Sequence, residues 1–113
     1  MRLGAELELT PQRVDDLRKS GEELSFIDVR EPNEWALTRI EGASLIPMGT
    51  VPANIKHFES QSGEAALIVY CHHGMRSLEV VSWLRAKGVE SCYSLAGGID
   101  RWSREVDPSV PRY

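Results

Sequence analysis

The stretch that most constrains this chain is Ala65-Ala-Leu-Ile-Val-Tyr70, an apolar run with no polar interruption. Such a run fits a central strand covered on both faces, as in a parallel sheet. It ends at Cys71, and a helix pattern follows from Ser77 to Lys87, with Val80, Val81 and Leu84 in one stripe and Gly88 as its stop. A strand running through a short turn into a helix is the repeating step of an α/β fold.

The same step recurs along the chain. Ala5 to Leu9 reads as a short strand, and Thr10-Pro11 as an N-cap with proline in the first helical position. Val14 and Leu17 share a face, and Gly21 offers a left-handed stop. Leu24 to Val29 is the next strand, and Glu31-Pro32 opens a helix to about Leu37, with acidic residues at its positive end. Ala43 to Ile46 is a brief strand, and Thr50 to Phe58 a short helix or loop around Pro52. Cys92 to Leu95 is the last strand, and Gly97-Gly98 leads into a helix carrying Ile99 and Trp102 on one side. The expected fold is α/β, a mostly parallel five-stranded sheet with helices on both faces. One domain spans residues 1–113, with its core at about 7–102 and an extended tail over 103–113.

Composition excludes several functions. Length of 113 residues allows about one domain, and 42% apolar with 27% charged residues is ordinary for a globular one. Lys plus Arg number 13 and Asp plus Glu 17, so the net charge of −4 argues against general nucleic-acid binding. Cys71 and Cys92 are too few for a disulfide scaffold and show no Cys-x-x-Cys spacing. Neither an export signal nor an apolar run of membrane-spanning length is present. The expected setting is cytoplasmic, with free thiols and no membrane partner.

In open parallel sheets ligands bind beyond the carboxyl ends of the strands, at helix N-termini. That rule selects Tyr70-Cys-His-His-Gly-Met-Arg-Ser77. Amides of His72, His73, Gly74, Met75, Arg76 and Ser77, if the turn curls, converge on an anion site backed by the helix dipole. A thiolate at Cys71 is itself such an anion. A free thiol is only about 3% ionised at pH 7. Charge-assisted amide bonds of about 1.5–3 kcal/mol each, before desolvation, are enough to change that. Gly74 permits the positive φ of a tight curl, and Arg76 places a fixed positive charge on the thiolate or on an incoming anion. A cysteine at a strand end is, on its own, a small buried hydrophobe; glycine, arginine and a helix start in register favour the reactive reading. His72 and His73 are expected to point to different sides, one of them tuning the pocket charge. A metal site from Cys71, His72, His73, His57 and Cys92 matches no common zinc spacing, so none is expected.

Four motifs in order make the chain resemble the rhodanese-like domains: Asp28-Val-Arg-Glu-Pro-Asn-Glu-Trp35, Ile40-Glu-Gly-Ala-Ser-Leu-Ile-Pro47, Tyr70 to Ser77, and Leu95-Ala-Gly-Gly-Ile-Asp-Arg-Trp102. The ending Val110-Pro-Arg-Tyr113 is similar to that of rhodanese domains fused to adenylyltransferases, although a start at its own methionine suggests a free-standing version. The resemblance implies a sulfurtransferase without cofactor, in which Cys71 becomes a persulfide and passes its outer sulfur on. It implies a small anionic sulfur donor, a thiol or cyanide-like acceptor, and a cysteine desulfurase or sulfur-carrier protein as possible partners. Arg76 would take the family's anion-pocket role, and Asp28 and Arg30 would support the pocket rim unless they form a surface ion pair or a cap. The family's Gly-His-Ile is replaced by Thr38-Arg39-Ile40, a departure in a fold detail. Cys92, Trp35, Trp83 and Trp102 are expected to be packing residues.

Two rivals remain. Loop-cysteine phosphatases and arsenate reductases usually space cysteine and arginine by five residues, against four between Cys71 and Arg76 here. The shorter loop closes around one sulfur and leaves too little room for phosphate. The other rival is a persulfide carrier or regulatory binding module that does not turn over.

Overall fold

The computed structural model describes residues 3–113, in which five parallel strands form one sheet in the order β1-β5-β4-β2-β3. The strands are β1 (Glu8–Leu9), β2 (Leu24–Asp28), β3 (Ser44–Leu45), β4 (Ala66–Tyr70) and β5 (Cys92–Leu95). Every pairing is parallel, so the sheet is wholly rather than mostly parallel. β4 lies at the centre, in register Asp28↔Tyr70 with β2 and Val69↔Ser94 with β5.

Alternation along β4 sorts the core into two layers. Leu67 and Val69, with Cys71 just beyond, face α3 (Ile55–Ser62) and α4 (Met75–Ala86), joining Phe58, Val80, Val81 and Leu84. Ile68 and Tyr70 face α1 (Pro11–Lys19) and α5 (Gly98–Glu105), joining Val14, Leu17, Ile99 and Trp102. All of these are buried. At about 25 cal/mol per Å² of apolar surface, this two-sided burial of β4 is the main source of stability.

The Thr10 cap expected from the sequence is present. Thr10 Oγ1 accepts from the Arg13 N–H at 3.1 Å, and Pro11 follows it in the first turn of α1. α2 (Pro32–Leu37) opens on a capping box, in which Glu34 returns a carboxylate to the Glu31 N–H at 3.1 Å. That box fixes where the Glu34 carboxylate stands.

Several boundaries differ. β1 is confined to Glu8–Leu9 and β3 to Ser44–Leu45, because each is an edge strand pairing on one side only. The stretch around Pro52 is two 3₁₀ turns, Met48–Thr50 and Pro52–Asn54, and then a real helix reaching Ser62. α4 starts at Met75, two residues earlier than expected, since Gly74 serves as its N-cap. Ser103 belongs to α5, which runs to Glu105, so the tail begins later than 103. Nor is that tail loose: Val110 is buried, and the Ser103 hydroxyl donates to its carbonyl. Among the described residues no helix is long and apolar enough to cross a membrane.

Candidate active site

Cys71 leaves the carboxyl end of β4 and its sulfur is met by the turn that follows. The Gly74 N–H donates to Sγ at 3.1 Å, the Ser77 N–H lies 3.4 Å from it, and the Ser77 hydroxyl 3.5 Å. Opposing peptide groups explain this inward turn. The Cys71 and His72 carbonyls accept from the Ile99 and Asp100 N–H groups, at 2.9 and 3.2 Å, in the first turn of α5. With those carbonyls committed to α5, the turn curls the other way.

Glycine is required at two points of this arrangement. Gly74 holds φ of 100°, and a Cβ there would meet Gly97 N at 3.0 Å. Gly98, at φ 63°, lies against the Cys71 and His72 carbonyls with no room for a side chain. Met75 and Arg76, expected in the loop, instead form the first turn of α4 together with Ser77. The N–H groups of Met75 and Arg76 thus have no intrahelical partner and stand at the positive end of the dipole.

The residue Cys71 is 1% exposed, with the α3/α4 core on one side and these donors on the other. A bulky ligand has no direct access to the sulfur. Below the turn, Ser77 Oγ lies 2.7 Å from Ser94 Oγ on β5, and both residues are fully buried.

Arg76 makes its hydrogen bonds to Glu34 rather than to the sulfur. Its guanidinium forms two bonds to Glu34, at 2.7 and 2.9 Å, because the α2 capping box presents that carboxylate to α4. Arg76 holds Glu34 well below the usual carboxylate range, at about 2, with the Tyr113 hydroxyl adding to the effect. The Glu34 bond in turn raises Arg76.

Asp28 and Arg30 are not a surface pair: both side chains are fully buried. Arg30 Nη2 donates to Asp28 Oδ2 at 2.6 Å and to the Thr38 carbonyl at 2.6 Å, and Nε reaches Asp28 Oδ1 at 2.9 Å. Burial works against the Arg30 charge, and the bonds to Asp28 and Tyr113 more than offset it, raising its pKa. The pair reaches the site indirectly, through Arg30 Nη1 and the Tyr113 hydroxyl at 2.8 Å.

His72 and His73 turn to the same side, contrary to expectation, with rings stacked 3.8 Å apart, and Tyr113 stacks on the other face of His72 at 3.9 Å and 8°. Burial first, and the neighbouring His73 second, push His72 below its ordinary pKa. His72, His73 and Asp100 place one ligand atom each within 4.8 Å of one another. Both Asp100 oxygens, however, accept from guanidiniums, Arg112 at 2.9 Å and Arg104 at 3.2 Å, so the cluster is poorly suited to a cation.

Cys92 is buried, with Sγ against the Val89 carbonyl at 3.3 Å, and burial raises its pKa. Trp102 is buried edge-on to Phe26, and Trp83 packs on the α3/α4 core. A surface groove of about 620 Å³ lies at the amino ends of the strands, lined by Gly21, Leu24, Ala66 and Ser91, away from the turn.

Sequence reasoning missed Glu34, Ser94, Gly98 and Tyr113. Glu34 carried a signal, being three residues after Glu31 at a helix start. Ser94 is a polar residue within a buried strand, which demands a partner. Tyr113 stood out only as part of the family-like ending Val110-Pro-Arg-Tyr113, with nothing nearby to signal its bonds to Arg30 and Glu34.

The chain is similar to several known proteins along most of its length. Thiosulfate sulfurtransferase GlpE of Ectopseudomonas mendocina is 33% identical over 101 residues, covering 89% of this chain and 87% of that protein. The probable adenylyltransferase/sulfurtransferase MoeZ of Mycobacterium tuberculosis is 31% identical over 105 residues, 93% of this chain, which spans only 26% of its length. A rhodanese-like domain protein from Staphylococcus aureus has a solved structure with TM-score 0.76 at 27% identity, covering 94% of this chain and 97% of that one. The rhodanese-like domain model matches residues 10–105, and the chain belongs to that family.

Proposed function

We propose that the chain is a sulfurtransferase acting through Cys71 as a single rhodanese-like domain. The Cys71 thiolate attacks the outer sulfur of a donor such as thiosulfate. The new S–S bond forms as the donor's S–S bond breaks, and sulfite leaves with that electron pair. A thiolate or cyanide then attacks the outer sulfur of Cys71–S–S⁻, takes it as a persulfide or thiocyanate, and restores the thiolate. No external oxidant or reductant is needed.

The observation that carries this reading is the Gly74 N–H at 3.1 Å from Sγ, with the Ser77 N–H beside it. Donors spaced around one sulfur favour a negative sulfur species. The unpaired N–H groups of Met75 and Arg76 suit the outer sulfur of a persulfide. A phosphatase reading is disfavoured, because the turn closes on the sulfur itself and Arg76 is engaged by Glu34. Relatives named for both adenylyltransferase and sulfurtransferase activities support a sulfur-carrier protein as an acceptor.

Intact mass after incubation with thiosulfate tests the proposal. A gain of one sulfur on the native chain and none on Cys71→Ser is the expected result; no gain on the native chain overturns it. Thiocyanate release with cyanide then separates a turning-over enzyme from a carrier that loads once.

A further inference from the structure

Tyr113 joins two ion pairs that the chain keeps far apart in sequence. Its hydroxyl accepts from Arg30 Nη1 at 2.8 Å and donates to Glu34 Oε2 at 2.7 Å. Arg30 is locked by Asp28, and Glu34 holds Arg76. The result is a continuous line of bonds, Asp28–Arg30–Tyr113–Glu34–Arg76, from the buried end of β2 to the first turn of α4. The Tyr113 ring meanwhile covers His72, and the segment behind it is fastened by Arg112 to Asp100 and by buried Val110.

We propose that Tyr113 is a positioning residue of the Cys71 site, which holds the Glu34–Arg76 pair in place and so sets how strongly the site attracts an anionic sulfur donor. The charge logic is direct. Glu34 and Arg76 compensate each other, so the field met by an incoming anion depends on how fully the carboxylate is satisfied. The Tyr113 hydroxyl takes up part of that carboxylate's charge. Without it, Glu34 is left with Arg76 and the Glu31 N–H, and an approaching anion meets a more negative surface and a less available guanidinium. An apolar or neutral reagent is indifferent to this change.

The identity of the ligand as a sulfur donor rests on the proposed function; the charge effect does not. Alkylation of Cys71 by anionic iodoacetate and by neutral iodoacetamide reads it directly. Tyr113→Phe keeps the stack on His72 and removes only the hydroxyl. It is expected to lower the iodoacetate-to-iodoacetamide rate ratio about three- to tenfold, and to raise KM for thiosulfate by a similar factor with kcat unchanged. In a Glu34→Gln background the same substitution is expected to change neither, because no carboxylate charge remains to share. An unchanged ratio in Tyr113→Phe, or an equal fall in both backgrounds, overturns the proposal. If the native chain gains no sulfur from thiosulfate, the sulfurtransferase reading fails on its own, and the alkylation ratio still decides the role of Tyr113.

Discussion

The hydroxyl oxygens of Ser77 and Ser94 stand 2.7 Å apart, one on the helix after Cys71 and the other on the neighbouring strand β5. Ser77 also faces Sγ at 3.5 Å and the Gly74 carbonyl at 3.3 Å, so the pair braces the turn from beneath. Ser94→Ala removes one partner and leaves Ser77 with the other two. A stability loss of about 1 kcal/mol is expected from thermal unfolding. Ser77→Ala, which removes a contact to the sulfur itself, is expected to slow persulfide formation more than Ser94→Ala does. Equal rates in both variants would mean that the brace has no bearing on the sulfur.

Gly74→Ala and Gly21→Ala separate conformational strain from packing. Both positions have positive φ, 100° and 86°, but a Cβ at Gly21 meets nothing within 4 Å. Gly21→Ala is therefore expected to cost only the left-handed penalty, about 1–2 kcal/mol. At Gly74 the added carbon also presses on Gly97 N at 3.0 Å and Leu95 O at 3.4 Å, both backbone atoms. Urea unfolding is expected to show the larger loss for Gly74→Ala, together with slower sulfur loading, since the amide nearest Sγ must shift. Identical losses at the two sites would contradict the close approach.

Asp28→Asn leaves the Arg30 guanidinium buried with no compensating charge. Removing one partner of a buried pair typically costs about 3–5 kcal/mol, far above an exposed pair. Arg18→Ala is the internal comparison, since its guanidinium pairs with Asp15 while half exposed. A Tm loss no larger for Asp28→Asn than for Arg18→Ala would show that the buried pair is not needed to hold the region together.

What the sequence made legible was local. The apolar run into β4, the Thr10-Pro11 cap and the Val80/Val81/Leu84 stripe each depend on near neighbours, and each appears in the fold where expected. α4 starts earlier than the sequence suggests because its N-cap is Gly74: the sequence shows that this glycine can take a positive φ, but nothing local shows that the helix begins directly after it. The partners of Arg76 and the outer partner of Arg30 come from other elements. Glu34 lies 42 residues from Arg76, and Tyr113 lies 83 from Arg30. No spacing rule reaches across such gaps, so these two partnerships were not readable, whereas Asp28 and Arg30, two residues apart, were readable as a pair but not as a buried one.

Glu34 should leave a signature in acid. Its bonds to Arg76 hold its folded-state pKa at about 2, against an ordinary value of 4.5. A depressed carboxylate contributes stability that is fully present above about pH 4.5 and is lost as pH falls toward 2. Below that, both states are protonated and the contribution is gone. Partial exposure of Arg76 screens the pair, so about 1–3 kcal/mol is expected rather than the full conversion of the shift. Asp15 and Asp100 are also depressed by cationic partners and contribute to the same acid limb, so the measurement must be a difference. Chemical unfolding of the native chain and Glu34→Gln at pH 7, 4.5, 3 and 2 supplies it. The gap between the two is expected to be widest at pH 7, hold to about 4.5, and shrink steadily below. A gap that stays constant down to pH 2 would mean that Glu34 is not ionised against Arg76 in the folded state.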